Sequence, residues 1–157
     1  MTQCAMDTQK LYLEDLFPGQ KFVSASYSMT AERIKTFAME YDPQPFHVDE
    51  VLAENSFFKG LAASGWHTAS VTMRLISESV PIANGLVGAG LEELRWLQPV
   101  RPEEELYVET EVISSRPSKS KPHQGLARIK ITTFNHRKEA VLEVISTVVV
   151  LKNPSQS

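Results

Sequence analysis

The second half of the chain constrains the fold most, because a single helix-length apolar stripe gives way there to one alternating segment after another. The stripe begins near Ala62 or Ser64 and runs to about Ser79, with Ala69, Thr72, Met73 and Ile76 on one face. Pro81 cannot continue it. Beyond it, period-two patterns dominate. Leu86 to Trp96 is the first, with Gly88 and Gly90 marking a bulge or a close backbone approach. Glu105 to Ile113 sets Leu106, Val108, Thr110 and Val112 against Tyr107, Glu109 and Glu111, and Leu126 to Asn135 sets Ala127, Ile129, Ile131 and Thr133 against Arg128 and Lys130. Glu139 to Leu151 is the most apolar of them. Lys21 to Met29, upstream, alternates in the same way, with Val23, Ala25, Tyr27 and Met29 facing away from serines. A helix and a set of half-apolar strands bury their faces together as two layers, so the expectation is an α+β domain: a long helix packed against a five-stranded antiparallel sheet.

Between the first strand and the long helix lies the chemistry. Thr30 is an N-cap for a helix in which Ile34, Phe37, Ala38 and Tyr41 follow helical spacing. Pro43 ends that helix, so its C-terminus is delivered to Asp42. Residues before proline are pushed out of the α region, which makes Asp42 and Gln44 extended or turn-like. Asp42 and His47 are therefore expected on a rigid turn rather than on successive helical turns. An Asp/His pair so held can carry one water and move protons on and off it. Asp49 starts a short helix to Asn55, Ser56 to Gly60 forms a loop with two aromatics, and the small residues Ala62-Ala63-Ser64-Gly65 open the long helix. Free N–H groups at such a helix start suit an oxygen that becomes negative.

Composition narrows the setting. A chain of 157 residues can bury a core as one domain, and a net charge of −3 carries no signal for nucleic acid or anionic membranes. Cys4 is the only cysteine, so no intramolecular disulfide forms, and a reducing, cytoplasmic compartment is expected. The N-terminal residues lack the pattern of a secretory signal, and no apolar run approaches the ~20 residues of a membrane span. Asn153 to Ser157 reads as a frayed polar tail.

Asp42-x-x-Pro45-x-His47, then Asp49, Phe57-Phe58 and an Ala-x-Gly helix start, resembles the MaoC-like acyl dehydratases, also called (R)-specific enoyl-CoA hydratases. The later block ELRWLQPVRPEEELYVETEV is similar to that family's strand–loop–strand signature. The resemblance spans nearly the whole chain and implies one hot-dog domain over residues 1–157, in which a curved antiparallel sheet wraps a long helix. It further implies a hydro-lyase that works on an acyl-CoA thioester without cofactor or metal, as a homodimer or higher homo-oligomer. Asp42 and His47 then become the catalytic pair, the Gly65 N–H the oxyanion donor, and Ser64 its neighbour in the substrate site. Two departures stand out: Gln44-Pro45 replaces the frequent Asn-Pro, and Ser64-Gly65 replaces His-Gly.

Hydration of an α,β-unsaturated thioester needs a base at the water, a proton for C2 and a donor at the thioester oxygen. Asp42, His47 and Gly65 match those needs. A thioesterase, which sends water to the carbonyl carbon, usually carries an acid on the long helix, and here Glu78 lies only at its far end. A non-catalytic acyl-thioester-binding module is the third reading. His67 is expected in the core or on the surface, and His123 and His136 in solvated turns. The basic loop with Arg116, Lys119 and Lys121 reads as a solvated turn, with contact to coenzyme A phosphates as the alternative. Gly65→Ala keeps the N–H and adds one methyl, so it is expected to be the mild control for Gly65→Pro.

Overall fold

A computed structural model describes residues 9–156, so Cys4 and Ser157 lie outside the described residues. The elements run β1 (Lys21–Val23), β2 (Tyr27–Met29), α1 (Ala31–Tyr41), α2 (Pro45–Val48), α3 (Glu50–Glu54), α4 (Gly65–Ser79), β3 (Val87–Trp96), β4 (Glu104–Pro117), β5 (Gln124–Phe134) and β6 (Ala140–Leu151). The antiparallel order is β1-β4-β5-β6-β3, and β2 also pairs with β4. With α4 laid against the concave face, this is the hot-dog fold. No helix among the described residues is long and apolar enough to cross a membrane.

The sheet has six strands rather than five because the expected strand from Lys21 to Met29 breaks at Ser24. There the Ser24 N–H still donates to Val108 O at 2.9 Å, but Val108 N–H donates to the Ser24 side-chain Oγ at 2.8 Å. A hydroxyl has taken the place of a backbone acceptor, and the chain steps out of register between Val23↔Glu109 and Tyr27↔Leu106. In β4 the alternation holds as expected: Leu106, Val108, Thr110 and Val112 are all buried. The glycine-marked irregularity in β3 is also present, as a register shift between Gly88 and Gly90.

The stripe on α4 is rotated from its expected position. His67, Thr68, Val71, Thr72, Leu75 and Ile76 are buried, whereas Met73 is 47% exposed and Ala69 is only half-buried. The reason is that α1 covers a second flank of the helix, so the buried arc shifts toward it: Phe37 of α1 stacks on His67 at 4.6 Å and 5°. Thr72 fixes the helix to the sheet, since its Oγ1 lies 2.6 Å from Thr133 Oγ1 while donating to Thr68 O. The Asn153–Ser157 tail was expected to fray. Instead, Pro154–Gln156 forms a 3-10 turn, and the Asn153 N–H donates to Glu14 Oε2 at 3.0 Å.

Two features of the sheet bear on function. β3 ends the strand order, so its outer edge is unpaired, and it exposes Val87, Leu91 and Trp96. Arg116 of the expected basic loop belongs instead to β4, paired with Leu126, and the rest of the loop, with Lys119 and Lys121, stands at the far end of β4 from Glu104, on the order of 40 Å of strand away. His123 and His136 are exposed, as expected.

His67, by contrast, is 6% exposed, and its Nδ1 has no hydrogen-bond partner. Burial, and then the Arg33 charge, carry its pKa down from 6.5 to about 4. As pH falls through that window the unfolded chain binds a proton that the folded chain refuses. Its contribution to stability is therefore full above the window and lost as the pH falls through it. His67→Leu should lose less of its urea midpoint between about pH 7 and about pH 4.5 than the wild type does. Equal losses would remove His67 as the responsible group.

Candidate active site

Asp42 is the C-cap of α1. Its N–H donates to Ala38 O at 2.8 Å, and its carbonyl accepts from Gln44 N–H at 2.7 Å across Pro43. Pro45 then occupies the first turn of α2, where its missing N–H costs nothing. His47 therefore sits in a one-turn helix, not in the plain turn expected from the two prolines. The outcome for placement is the same: the carboxylate and imidazole face each other, with His47 Nε2 at 3.4 Å from Asp42 Oδ2.

Hydrogen bonds fix the Nδ1 proton of His47 and the donors to Asp42. His47 Nδ1 lies 2.6 Å from Ala62 O, and a carbonyl only accepts, so Nδ1 carries a proton. In the neutral ring, Nε2 then keeps its lone pair toward Asp42. Phe46 meets the ring edge-on at 4.6 Å, and His47 as a whole is 4% exposed. Burial alone would raise the pKa of Asp42. Ser64 Oγ–H donating to Oδ2 and Gln44 Nε2–H donating to Oδ1, each at 2.6 Å, work against burial and hold the carboxyl below its ordinary value, and the charge of His47 adds to them when that ring is protonated. Gln44 thus supplies an amide donor to the carboxylate.

Ser64 is the N-cap of α4, yet its hydroxyl does not cap the helix. It turns to Asp42 instead. The first amides bonded within the helix are His67 and Thr68, both to Ser64 O, so the Gly65 N–H is at the helix start without an intrahelical partner. The helix start is also more crowded than expected. A Cβ on Gly65 would come within 2.7 Å of Trp96 Cε2 and Nε1, and Trp96 Nε1–H donates to Gly65 O at 2.8 Å. Glycine is required here for close approach, so Gly65→Ala is not a mild control.

Asp42, His47 and Gly65 open into a cavity of about 560 Å³ together with Phe57, Phe58, Trp66, Trp96 and the Leu97–Val100 segment. That volume is in the range of ligand pockets. Ser64 is fully buried behind it. Two residues that pattern reasoning passed over hold the walls. Arg101 donates from Nη1 to Gly60 O at 2.9 Å and to Leu61 O at 3.3 Å, and from Nη2 to Phe58 O. It binds the loop before α4 to the strand connection, beside Ala63 N–H donating to Val100 O. Trp96 is the other. The only sequence signals were an Arg between prolines and a Trp at a strand end. Among the described residues no three His, Cys, Asp or Glu side chains come together as a metal-ligand set.

The family model described as the MaoC like domain matches residues 15–134. The chain belongs to the MaoC-like family. Among solved structures, this MaoC-like chain is similar to a MaoC-like dehydratase from Rhodospirillum rubrum. The two are 50% identical, with a TM-score of 0.88 over 92% of this chain and 99% of that one. It is also similar to an (R)-hydratase from A. caviae involved in PHA biosynthesis, at 25% identity and TM-score 0.71 over 90% and 99% of the two chains. Among curated proteins, the uncharacterized protein YdeM of Bacillus subtilis (strain 168) is 30% identical over 83% of this chain and 92% of its own length.

In this MaoC-like chain the Gly65–Trp96 contact generates a direct test. Gly65→Ala should destabilise the protein by about 1–3 kcal/mol, the usual cost of overpacking, and should shift tryptophan emission as the indole is displaced. An unchanged melting temperature and spectrum would show that the indole yields freely.

Proposed function

We propose that the protein is a hydro-lyase that adds water to, or removes it from, an α,β-unsaturated acyl-CoA thioester. The observation that carries this reading is the facing of two acceptors. His47 Nε2, with its proton committed at Nδ1, stands 3.4 Å from an ionised Asp42 oxygen, at the wall of a cavity rimmed by a helix start. Two acceptors so placed suit one water that donates toward both. Asp42 already accepts a hydrogen bond on each oxygen and has a lowered pKa, so it is the weaker proton acceptor. His47 then takes the proton as the water oxygen bonds to C3, and Asp42 stabilises the imidazolium. Electron density moves to the thioester oxygen, where the Gly65 N–H and the positive end of α4 receive it. Return of a proton to C2 completes the addition: one O–H bond of water and the C2–C3 π bond break, and C–O and C–H bonds form.

Family membership and the likeness to an (R)-hydratase support this reading. The thioesterase alternative is weaker, because Glu78, the acid on α4, lies in its last turn and pairs with Arg74 at 3.0 Å. Incubation with crotonyl-CoA separates the readings. Loss of enoyl absorbance identifies the hydro-lyase, free thiol a thioesterase, and binding without either a non-catalytic module.

Asp42→Asn and His47→Gln should each lower turnover by about 10²–10⁴-fold in a folded protein. Because the two hold one water, the double variant should be little worse than either single one. Near-wild-type turnover at saturating crotonyl-CoA in either single variant would sink this assignment.

The reading extends to assembly. The unpaired β3 edge and the exposed Trp66, Met73 and Leu91 beside it form a surface that a second copy would cover by isologous strand pairing. Light scattering at micromolar concentration should give at least a dimer; a monomer would overturn the proposal.

A further inference from the structure

Which nitrogen of His47 can act as a base is decided at the far side of its ring. The imidazole has an acceptor on each side: Ala62 O lies 2.6 Å from Nδ1, and Asp42 Oδ2 lies 3.4 Å from Nε2. A neutral ring carries one N–H proton, and the hydrogen bond that holds it decides which nitrogen keeps a lone pair. With the proton at Nδ1, Nε2 is free to take another from water. With the proton at Nε2, the ring donates to Asp42 and the base is lost. The position of one carbonyl, that of Ala62, therefore selects the competent tautomer.

That carbonyl is held from the connection between β3 and β4. The peptide joining Ala62 to Ala63 is fixed at its N–H, which donates to Val100 O at 2.9 Å. The next residue, Arg101, holds the chain on the other side of Ala62. Its Nη1 donates to Leu61 O at 3.3 Å and to Gly60 O at 2.9 Å, and its Nη2 donates to Phe58 O. Three carbonyls of one short loop thus converge on a planar fork, which the point charge of a lysine does not reproduce. The loop adopts a costly backbone to reach it. Lys59 has a φ of 56° and Gly60 a φ of 154°, and a Cβ on Gly60 would lie 3.3 Å from Arg101 Nη1. A non-glycine residue in the left-handed region persists only where its surroundings over-determine it. Here the guanidinium is the group the loop closes around. Phe58, which gives one of the three carbonyls, also packs on the His47 ring, with centroids 5.9 Å apart.

We infer that Arg101 is a positioning residue for the reaction. By holding the loop from Phe58 to Leu61 against its own segment, it keeps the Ala62 carbonyl on His47 Nδ1 and so keeps Nε2 free as the base. Its kinetic consequence rests on the hydro-lyase reading above, whereas the tautomer is a property of the resting protein.

The test compares wild type, Arg101→Lys and Arg101→Leu. NMR of histidine-labelled protein gives the shifts of both ring nitrogens of His47, assigned with His47→Gln, at a pH where the ring is neutral. Turnover is measured with crotonyl-CoA. Wild type should show Nδ1 protonated and Nε2 bare. In Arg101→Leu the two shifts should approach each other as the proton divides between the nitrogens, and kcat should fall by about ten- to a hundredfold, with a smaller change in KM. Arg101→Lys should lie between, and it carries the test if the leucine variant does not fold. A merely stabilising role would reduce the folded fraction but leave the ring shifts of that fraction where they are in wild type. Unchanged His47 shifts in the folded variants overturn the inference, whatever their turnover. A wild type protonated at Nε2, or moved shifts with wild-type turnover, overturns it as well. Shifts that move as expected in a protein whose wild type does not hydrate crotonyl-CoA overturn the hydro-lyase reading alone.

Discussion

The hydrogen bond from Ser64 to Asp42 joins the end of α1 to the start of α4, and the site depends on that junction. Neither helix alone could make it. α1 brings a carboxylate to its own C-terminus, where the helix dipole disfavours negative charge, and α4 brings a positive N-terminus whose capping hydroxyl is left free to reach across. By giving its hydroxyl to Asp42 instead of to its own first turn, Ser64 helps to hold the carboxylate ionised. A stronger cap on α4 would stabilise the helix and weaken the site.

Around that junction the backbone does most of the orienting. His47 is aligned by the carbonyl of Ala62, and Ala62 N–H in turn donates to Phe46 O at 3.1 Å, so the segments carrying the imidazole and preceding α4 hold each other. Arg101 then gathers the carbonyls of Phe58, Gly60 and Leu61 from the loop that leads into them. The strand connection Gln98–Pro102 is thus a brace for the chemistry as well as a link in the sheet. Interactions of this kind tolerate variation in the side chains they pass through, because their partners are peptide groups.

The same fact explains what the sequence made legible. Alternation identified β4 because one of its faces is wholly covered, and helical spacing located α1 and α4 to within a residue or two. The Asp42/His47 pair was visible because two prolines, Pro43 and Pro45, lie between its members. The misses have specific causes. Ser24 lent its hydroxyl to the ladder, and period-two alternation carries no signature of that. The stripe on α4 was misplaced because α1 covers a flank that the helix's own periodicity cannot reveal. Trp96 and Arg101 went unrecognised because their partners, a glycine and three carbonyls, lie dozens of residues away and have no side-chain signature.

The contact between Gly65 and Trp96 has a consequence for how this lineage can change. The indole occupies the volume that a side chain at position 65 would need, and it is fastened to that residue's carbonyl. The two positions are therefore not independent. A smaller residue at position 96 relaxes what position 65 accepts, whereas any side chain at position 65 must first pass through an overpacked intermediate while Trp96 remains. Mutational paths between this pairing and others are thus directional. A change at the tryptophan therefore opens the way for a change at the glycine, whereas the reverse order carries the cost of overpacking.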